Sequence, residues 1–157
     1  MTTIAFDGRT IAADGLSTAG DEPVAWDTMK LRLGPKCIYA FSGEGGALFE
    51  PTIEWWEKGR KPGDQPKPTD GERWCMVIVD ASGCYTVTSH QPYPTRWNPP
   101  QAWGSGCDYA LGAMHAGANA YQAVQVASRL NLKTGGTIVA WDVARTLGLQ
   151  TETQAAE

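Results

Sequence analysis

The first residue able to do chemistry is Thr2, which directly follows the initiator Met1. A threonine at a chain terminus carries a hydroxyl nucleophile and its own α-amine as base on one residue. A free α-amine titrates near ~8, so a good share of it is neutral at neutral pH. Such a site needs no histidine, and this chain has only His90 and His115. The plain alternative is that Thr2 is simply a small residue that permits removal of Met1. Asp14 and Lys30 are the next candidates. Asp14 sits in an Asp-Gly turn, and Lys30 opens a short apolar stretch. Each alone reads as a solvated charge. As a pair behind Thr2, the lysine would favour the developing alkoxide and push the α-amine toward its neutral form. The carboxylate would orient the lysine and offset its burial.

Three further positions complete a possible site. Gly43 lies between an expected strand and an expected helix, where a backbone N–H can face an oxyanion, or where a tight turn excludes a side chain. Ser105 lies in Gly104-Ser105-Gly106 before a helix, as an N-cap or as a proton relay to the α-amine. Asn131 and Thr134 precede Gly135-Gly136 and would otherwise be ordinary residues after a helix. Cys37, Cys75, Cys84 and Cys107 are scattered without CxxC spacing, which argues against a structural zinc site. They read as buried small hydrophobes, with Cys107 the one that could be a catalytic thiol.

The elements that must position these residues follow from pattern. Residues 3–6 and 10–13 form strands around the Asp7-Gly8 turn. Residues 16–26 read as irregular or weakly extended. Residues 30–33 and 37–42 are strands. Residues 47–58 read as a helix that starts near Glu50, because Pro51 is tolerated only in a first turn. Residues 59–71 carry three prolines and three glycines and read as a loop. Residues 74–79 and 85–89 form a hairpin. Residues 91–101 hold four prolines and read as irregular. Helices follow at 108–119 and 120–131, then a strand at 137–141. The glycines match no dinucleotide fingerprint, and the order of elements points to antiparallel sheets covered by helices.

Composition sets the frame. The chain has 157 residues, 42% of them hydrophobic, a normal size for one domain with one core. The expected division is a single domain over residues 1–149 and a flexible polar tail over 150–157. The net charge is −4, with no basic stripe, so nucleic acid is a poor partner. No run of twenty apolar residues and no secretion signal is evident, so no membrane span is expected and the cytoplasm is the expected location. No cofactor and no metal are expected.

Taken together, six segments resemble the proteasome β-subunit family of N-terminal nucleophile hydrolases, with most likeness to the bacterial HslV-type peptidase. They are Thr2-Thr3-Ile4, Ile11 to Gly15 around Asp14, and Met29-Lys30-Leu31-Arg32. Phe41-Ser42-Gly43, the stretch from Gly104 to Ala110, and the stretch from Asn131 to Gly136 complete the set. The likeness runs from about Thr2 to Asp142.

The resemblance implies an α+β fold, a four-layer αββα sandwich with two antiparallel sheets. It implies peptide-bond hydrolysis through an acyl-enzyme on Thr2 after removal of Met1, with no propeptide to remove. Lys30 would be the activator, Asp14 its orienter and Gly43 the oxyanion donor, with Ser105, Asn131 and Thr134 around the amine. Glu44 and Gly45, with Gly20 and Asp21 opposite, would flank the substrate. The substrate would be a peptide or unfolded protein and the assembly a homo-oligomeric ring, with an ATP-dependent unfoldase as a possible partner. The alanines of residues 108–119 could form a contact between subunits.

Three departures from the family pattern stand out. Asn131 replaces an aspartate, Thr134 replaces a serine, and the loop 59–71 replaces a second outer helix. The first weakens proton handling, and the third weakens the case for an unfoldase. An amidase or acylase on the same fold, or a ring-forming structural subunit without activity, are the alternatives.

Overall fold

A computed structural model describes residues 2–44, 46–67 and 71–149. The expected tail 150–157 lies outside them. The chain begins with a hairpin of β1 (Thr3–Phe6) and β2 (Thr10–Ala13), with Ile4 opposite Ala13 and Phe6 opposite Ile11. Asp7 organises the turn. Its Oδ1 accepts from the N–H groups of Arg9 (2.9 Å) and Thr10 (2.7 Å), as short polar side chains do in turns.

A four-stranded antiparallel sheet forms around this hairpin in the order β10-β1-β2-β11, from β10 (Gln101–Gly104) and β11 (Val139–Asp142). The second sheet runs β5-β6-β7-β8-β9. Its strands are β5 (Leu31–Leu33), β6 (Ile38–Gly43), β7 (Trp74–Asp80), β8 (Gly83–Thr88) and β9 (Gln91–Trp97). A separate two-stranded ribbon holds β3 (Ser17–Ala19) and β4 (Glu22–Ala25).

The period-two alternation of the strands divides the apolar residues into three layers. Ile4, Phe6, Ile11, Ala13, Ile38, Ala40, Val77 and Val79 fill the space between the sheets. Tyr39, Phe41, Met76, Ile78 and Val87 face the opposite way, under Ile53, Trp55 and Trp56 of α1 (Phe49–Glu57). Ala5 and Ala12 face α2 (Cys107–His115) and α3 (Ala120–Leu130). This is the expected αββα sandwich.

The helix-facing layer is built from small side chains. Ala5, Ala12, Ala110, Ala120, Ala123 and Ala127 are all fully buried, so the two helices lie close on the sheet. Ala110 and Ala113 are thereby used inside the subunit, and the outward side of α2 carries Tyr109, Gly112 and Ala116 instead. The start of α3 is fixed by a reciprocal capping box between Asn119 and Gln122. Asp7 Oδ2 accepts from Ala120 N at 2.8 Å, which places a carboxylate at the positive end of that helix.

Several elements depart from the expected ones. Residues 16–26 form the β3–β4 hairpin, turning at Gly20-Asp21 with Gly20 at φ +61°. Residues 91–97 form a strand despite Pro92 and Pro94. β9 is an edge strand, and its register shifts between Thr86 and Thr88, opposite the prolines, so no ladder donor is needed there. The short strand β10 and the one-turn helix α4 (Val143–Thr146) also lie outside the expected pattern. Expectation and structure agree at α1, which follows a 3₁₀ turn (Gly46–Leu48) and carries Pro51 in its first turn. Of the loop, residues 59–67 and 71 contain no helix or strand.

Overpacking the alanine layer tests it. Ala123→Leu should cost about 1–3 kcal/mol, read as a lower urea midpoint. Arg129→Ala, on the exposed side of α3, should leave the midpoint within about 0.5 kcal/mol.

Candidate active site

The site forms where β1 and β2 meet the ends of β10 and α3. Asp14 directly follows β2, and Lys30 directly precedes β5. Their side chains pair, with Lys30 Nζ 2.8 Å from Asp14 Oδ1, and both side chains are more than nine-tenths buried. Lys30 also donates to the Leu16 carbonyl at 2.6 Å. Asp14 Oδ1 accepts from Thr3 N at 2.9 Å, and Oδ2 accepts from Gly135 N at 3.0 Å. The buried carboxylate therefore has a partner for each oxygen, and the ammonium has at least two acceptors. Burial pulls the Lys30 ammonium below its ordinary value, against the upward pull of Asp14. A lysine that surrenders its proton more readily suits a site that must handle protons.

The pair lies one residue from Thr2, because Thr3 N touches Asp14. Thr2 is itself buried, and its carbonyl accepts from Ser105 N at 2.8 Å. Gly104, at φ +96°, permits this approach, since a Cβ there would collide with the Thr2 carbonyl oxygen. Thr3 was not among the expected site residues, yet it joins the parts. Its Oγ1 accepts from Gly106 N at 3.0 Å and lies 2.7 Å from Thr134 Oγ1. Its place in the Thr2-Thr3-Ile4 segment was its one sequence signal beyond the strand pattern.

The remaining expected residues gather at the same place. Ser105 Oγ is buried and has no hydrogen-bond partner among the described residues. Such a group carries a desolvation cost, and that cost marks it for a role. Asn131 caps the end of α3. Its Nδ2 donates to the Ser105 carbonyl at 2.9 Å, and its Oδ1 accepts from Lys133 N at 2.9 Å and from Thr134 Oγ1 at 3.2 Å. The amide orientation follows from this network. An aspartate could make the last two bonds but not the first, so the asparagine is built into the Ser105 loop.

Gly43 ends β6 at φ +116°, where a Cβ would strike the Arg73 carbonyl. It opens on a cleft of about 610 Å³ lined by Thr18, Gly20, Asp21, Glu44, Arg73 and Lys133. Gly20, Asp21 and Glu44 were expected at the substrate entry, whereas Gly45 lies outside the described residues. Thr18, Arg73 and Lys133 were not expected. Lys133 Nζ reaches Asp21 at 2.7 Å, spanning from the α3–β11 loop to the β3–β4 turn. Only Lys133 had a sequence signal, since it falls inside the Asn131 to Gly136 segment.

Cys107 does not fit the thiol alternative. It is only part-buried, and burial with the adjacent Asp108 pushes its thiol upward, away from the thiolate. No group of three or more metal-ligating side chains occurs among the described residues. No helix among them is long and apolar enough to cross a membrane.

No family model and no curated protein matches the chain. Solved structures do. Eukaryotic HslV from Trypanosoma brucei superposes with a TM-score of 0.69 at 18% identity, over 91% of this chain and 99% of that one. The chain shares its fold with HslV. BPH from Thiobacillus denitrificans gives a TM-score of 0.62 at 20% identity, over 89% of this chain and 95% of that one. BPH in complex with epoxomicin gives 0.63 at 20% identity, over 89% and 96%. At such identities the likeness to HslV and BPH is one of fold, so the case for chemistry rests on the side chains above.

Two substitutions test the network. Lys30→Met leaves Asp14 buried without its cation and should cost about 3–5 kcal/mol in urea unfolding at neutral pH. Because the folded chain holds Lys30 below its ordinary 10.5, the folded state binds fewer protons than the unfolded state as that value is approached. The stability lead of wild type over Lys30→Met should therefore grow with rising pH in the window just below 10.5. Asn131→Asp sets a carboxylate against the Ser105 carbonyl and should cost about 1–3 kcal/mol at neutral pH. Its folded carboxyl should titrate above the ordinary carboxylate range, so that the deficit shrinks as pH falls and the protonated acid donates in place of the amide.

Proposed function

We propose that the chain is a threonine-type endopeptidase acting through Thr2 once Met1 is removed. The observation that carries this reading is the buried Lys30–Asp14 pair, bound to the backbone of the residue next to Thr2. A buried ion pair is a weak source of stability, since desolvation cancels much of its attraction. Here it stands where an N-terminal nucleophile needs a cation.

Thr2 Oγ attacks the scissile carbonyl carbon, and its proton passes to the free α-amine. Lys30 stabilises the alkoxide that develops and disfavours a second positive charge on the amine. The Ser105 hydroxyl, unpartnered among the described residues, hydrogen-bonds the amine and relays its proton. The backbone N–H of Gly43 receives the oxyanion. The amine then protonates the leaving nitrogen, the C–N bond breaks, and an ester on Thr2 remains. Water activated by the same amine hydrolyses the ester and restores the hydroxyl.

Asn131 and Thr134 support this shell through the Ser105 carbonyl and Thr3 Oγ1. The substrate is a peptide or unfolded protein that lies along the cleft beside Gly43. The working assembly is a homo-oligomeric ring in the cytoplasm. An ATP-dependent unfoldase is a weaker part of the reading, because α1 packs over the second sheet and residues 59–67 and 71 hold no second helix.

A specific observation favours a second reading, that of a ring-forming subunit without turnover. Asn131 is neutral where the family pattern has a charge, and its amide is occupied by the Ser105 carbonyl.

Intact mass decides between them. Under the first reading the purified protein lacks Met1 and gains one inhibitor mass with epoxomicin. Thr2→Ala removes both the mass gain and the turnover of small peptide amides, with an unchanged urea midpoint. Full activity in Thr2→Ala would overturn the peptidase. A protein that retains Met1, or never reacts, supports the subunit without turnover. A panel of peptide amides against simple acyl amides separates peptidase from amidase.

A further inference from the structure

A second cavity, of about 490 Å³, shares Arg73 with the first cleft. Ser42, Cys75 and Thr88 lie in register across β6, β7 and β8 and line it together with Arg73, Trp74, Ser89 and His90. Among the described residues no carboxylate lines it, in a chain with 17 acidic and 13 basic residues. The first cleft, by contrast, holds Asp21 and Glu44.

The polar groups of this cavity are arranged to donate. Thr88 Oγ1 already accepts from Gln91 N at 2.9 Å and from His90 N at 3.3 Å, so its proton is free to point outward. Ser89 Oγ lies 2.9 Å from His90 Nδ1 and receives Trp74 N–H at 3.4 Å. In the tautomer in which Ser89 donates to Nδ1, the imidazole proton sits on Nε2 and can be donated; the other tautomer reverses both roles. The Ser42 hydroxyl and the Arg73 guanidinium make no side-chain hydrogen bond or ion pair among the described residues. Burial pushes the Cys75 thiol up to about 12, so it adds a neutral S–H and no negative charge.

The cavity is close to the proposed nucleophile. A Cβ on Gly104 would lie 3.1 Å from Ser42 Oγ and would also collide with the Thr2 carbonyl. Arg73 lines both the cavity and the cleft.

We propose that this cavity is an anion subsite that takes a carboxylate of the bound peptide. The peptide as carrier rests on the function proposed above; the anion site itself stands on the donor set. A guanidinium with hydroxyl and imidazole donors around it fits a planar carboxylate, and the absence of competing acids among the described residues leaves the donors for a ligand. The carboxylate comes from an acidic side chain or from the terminus of the peptide.

Amide shifts of the 15N-labelled full chain test this without catalysis. The probes are N-acetyl-glutamate α-amide for a side-chain carboxylate and N-acetyl-alanine for a terminal one, with N-acetyl-glutamine α-amide as the neutral control. Saturable shifts at Ser42, Thr88, Ser89 and His90 with either acid are expected, and the acid that binds more tightly identifies the source. Arg73→Gln and His90→Gln should each weaken binding, the former about tenfold. The control should bind at least about tenfold more weakly than the acid. No saturable shift with either acid, equal binding of the control, or wild-type affinity in both variants would overturn the subsite. The Thr2→Ala protein should show the same shifts. Intact shifts in a wild-type protein that lacks Met1 and has no peptidase activity would overturn the nucleophile reading and leave the subsite standing.

Discussion

The ion pair between Lys30 and Asp14 is the constraint around which the candidate site is arranged. Two charges removed from water need every oxygen and proton satisfied, or the chain does not keep them there. The structure meets that demand from four segments. Thr3 N comes from β1, the Asp14 side chain from the end of β2, Gly135 N from the loop after α3, and the Leu16 carbonyl from the turn toward β3. None of these groups can move far without stranding a charge. The pair therefore fixes the backbone beside Thr2, whatever chemistry Thr2 performs.

A second set of contacts carries this order toward α2 and α3. Thr3 Oγ1 links Gly106 N and Thr134 Oγ1, and Asn131 links Thr134 to the Ser105 carbonyl. The network is closed by close backbone approaches that side chains would prevent, at Gly104 and Gly106 above all. The alanine layer has the same logic on a larger scale. Small residues on β1, β2, α2 and α3 bring the helices close enough for their ends to reach the site. Packing and polar satisfaction are in this way one requirement. A helix held farther from the sheet would pull Asn131 from Ser105.

The two hollows that share Arg73 differ in chemistry. One has charges of both signs, including a lysine–aspartate contact across it. The other presents donors alone among the described residues. That division arises from β6, β7 and β8 ending at one level, with Ser42, Cys75 and Thr88 in one row. Under the proposed function, a peptide over Thr2 would meet two surfaces of different charge, which is a physical basis for choosing among peptides.

Much of this was legible in the sequence. Strand and helix periods placed β1, β2, β6 to β8 and α1 to α3, because each has one face that must be buried. The order of elements pointed to layered antiparallel sheets. Thr2, Asp14, Lys30, Gly43, Ser105, Asn131 and Thr134 could be named only as a set, through the six ordered segments that resemble one family, because each taken alone has an ordinary reading. The sequence could not place β9, since Pro92 and Pro94 count against a strand until it is known to be an edge. It could not place β10 or the β3–β4 ribbon, which are short and depend on partners far away in the chain. Thr3 was marked only by its strand and by its place in the Thr2-Thr3-Ile4 segment, and Arg73 carried no local mark at all.

Tertiary structure alone decided which of these groups meet. It decided that Asn131 serves Ser105 through an amide proton, and that Arg73 stands between two cavities. Local pattern reports which face of an element is apolar, because burial repeats with the period of that element. It does not report hydrogen bonds across 11, 26 or 121 positions of chain, because those exist only once the sheets and helices have packed.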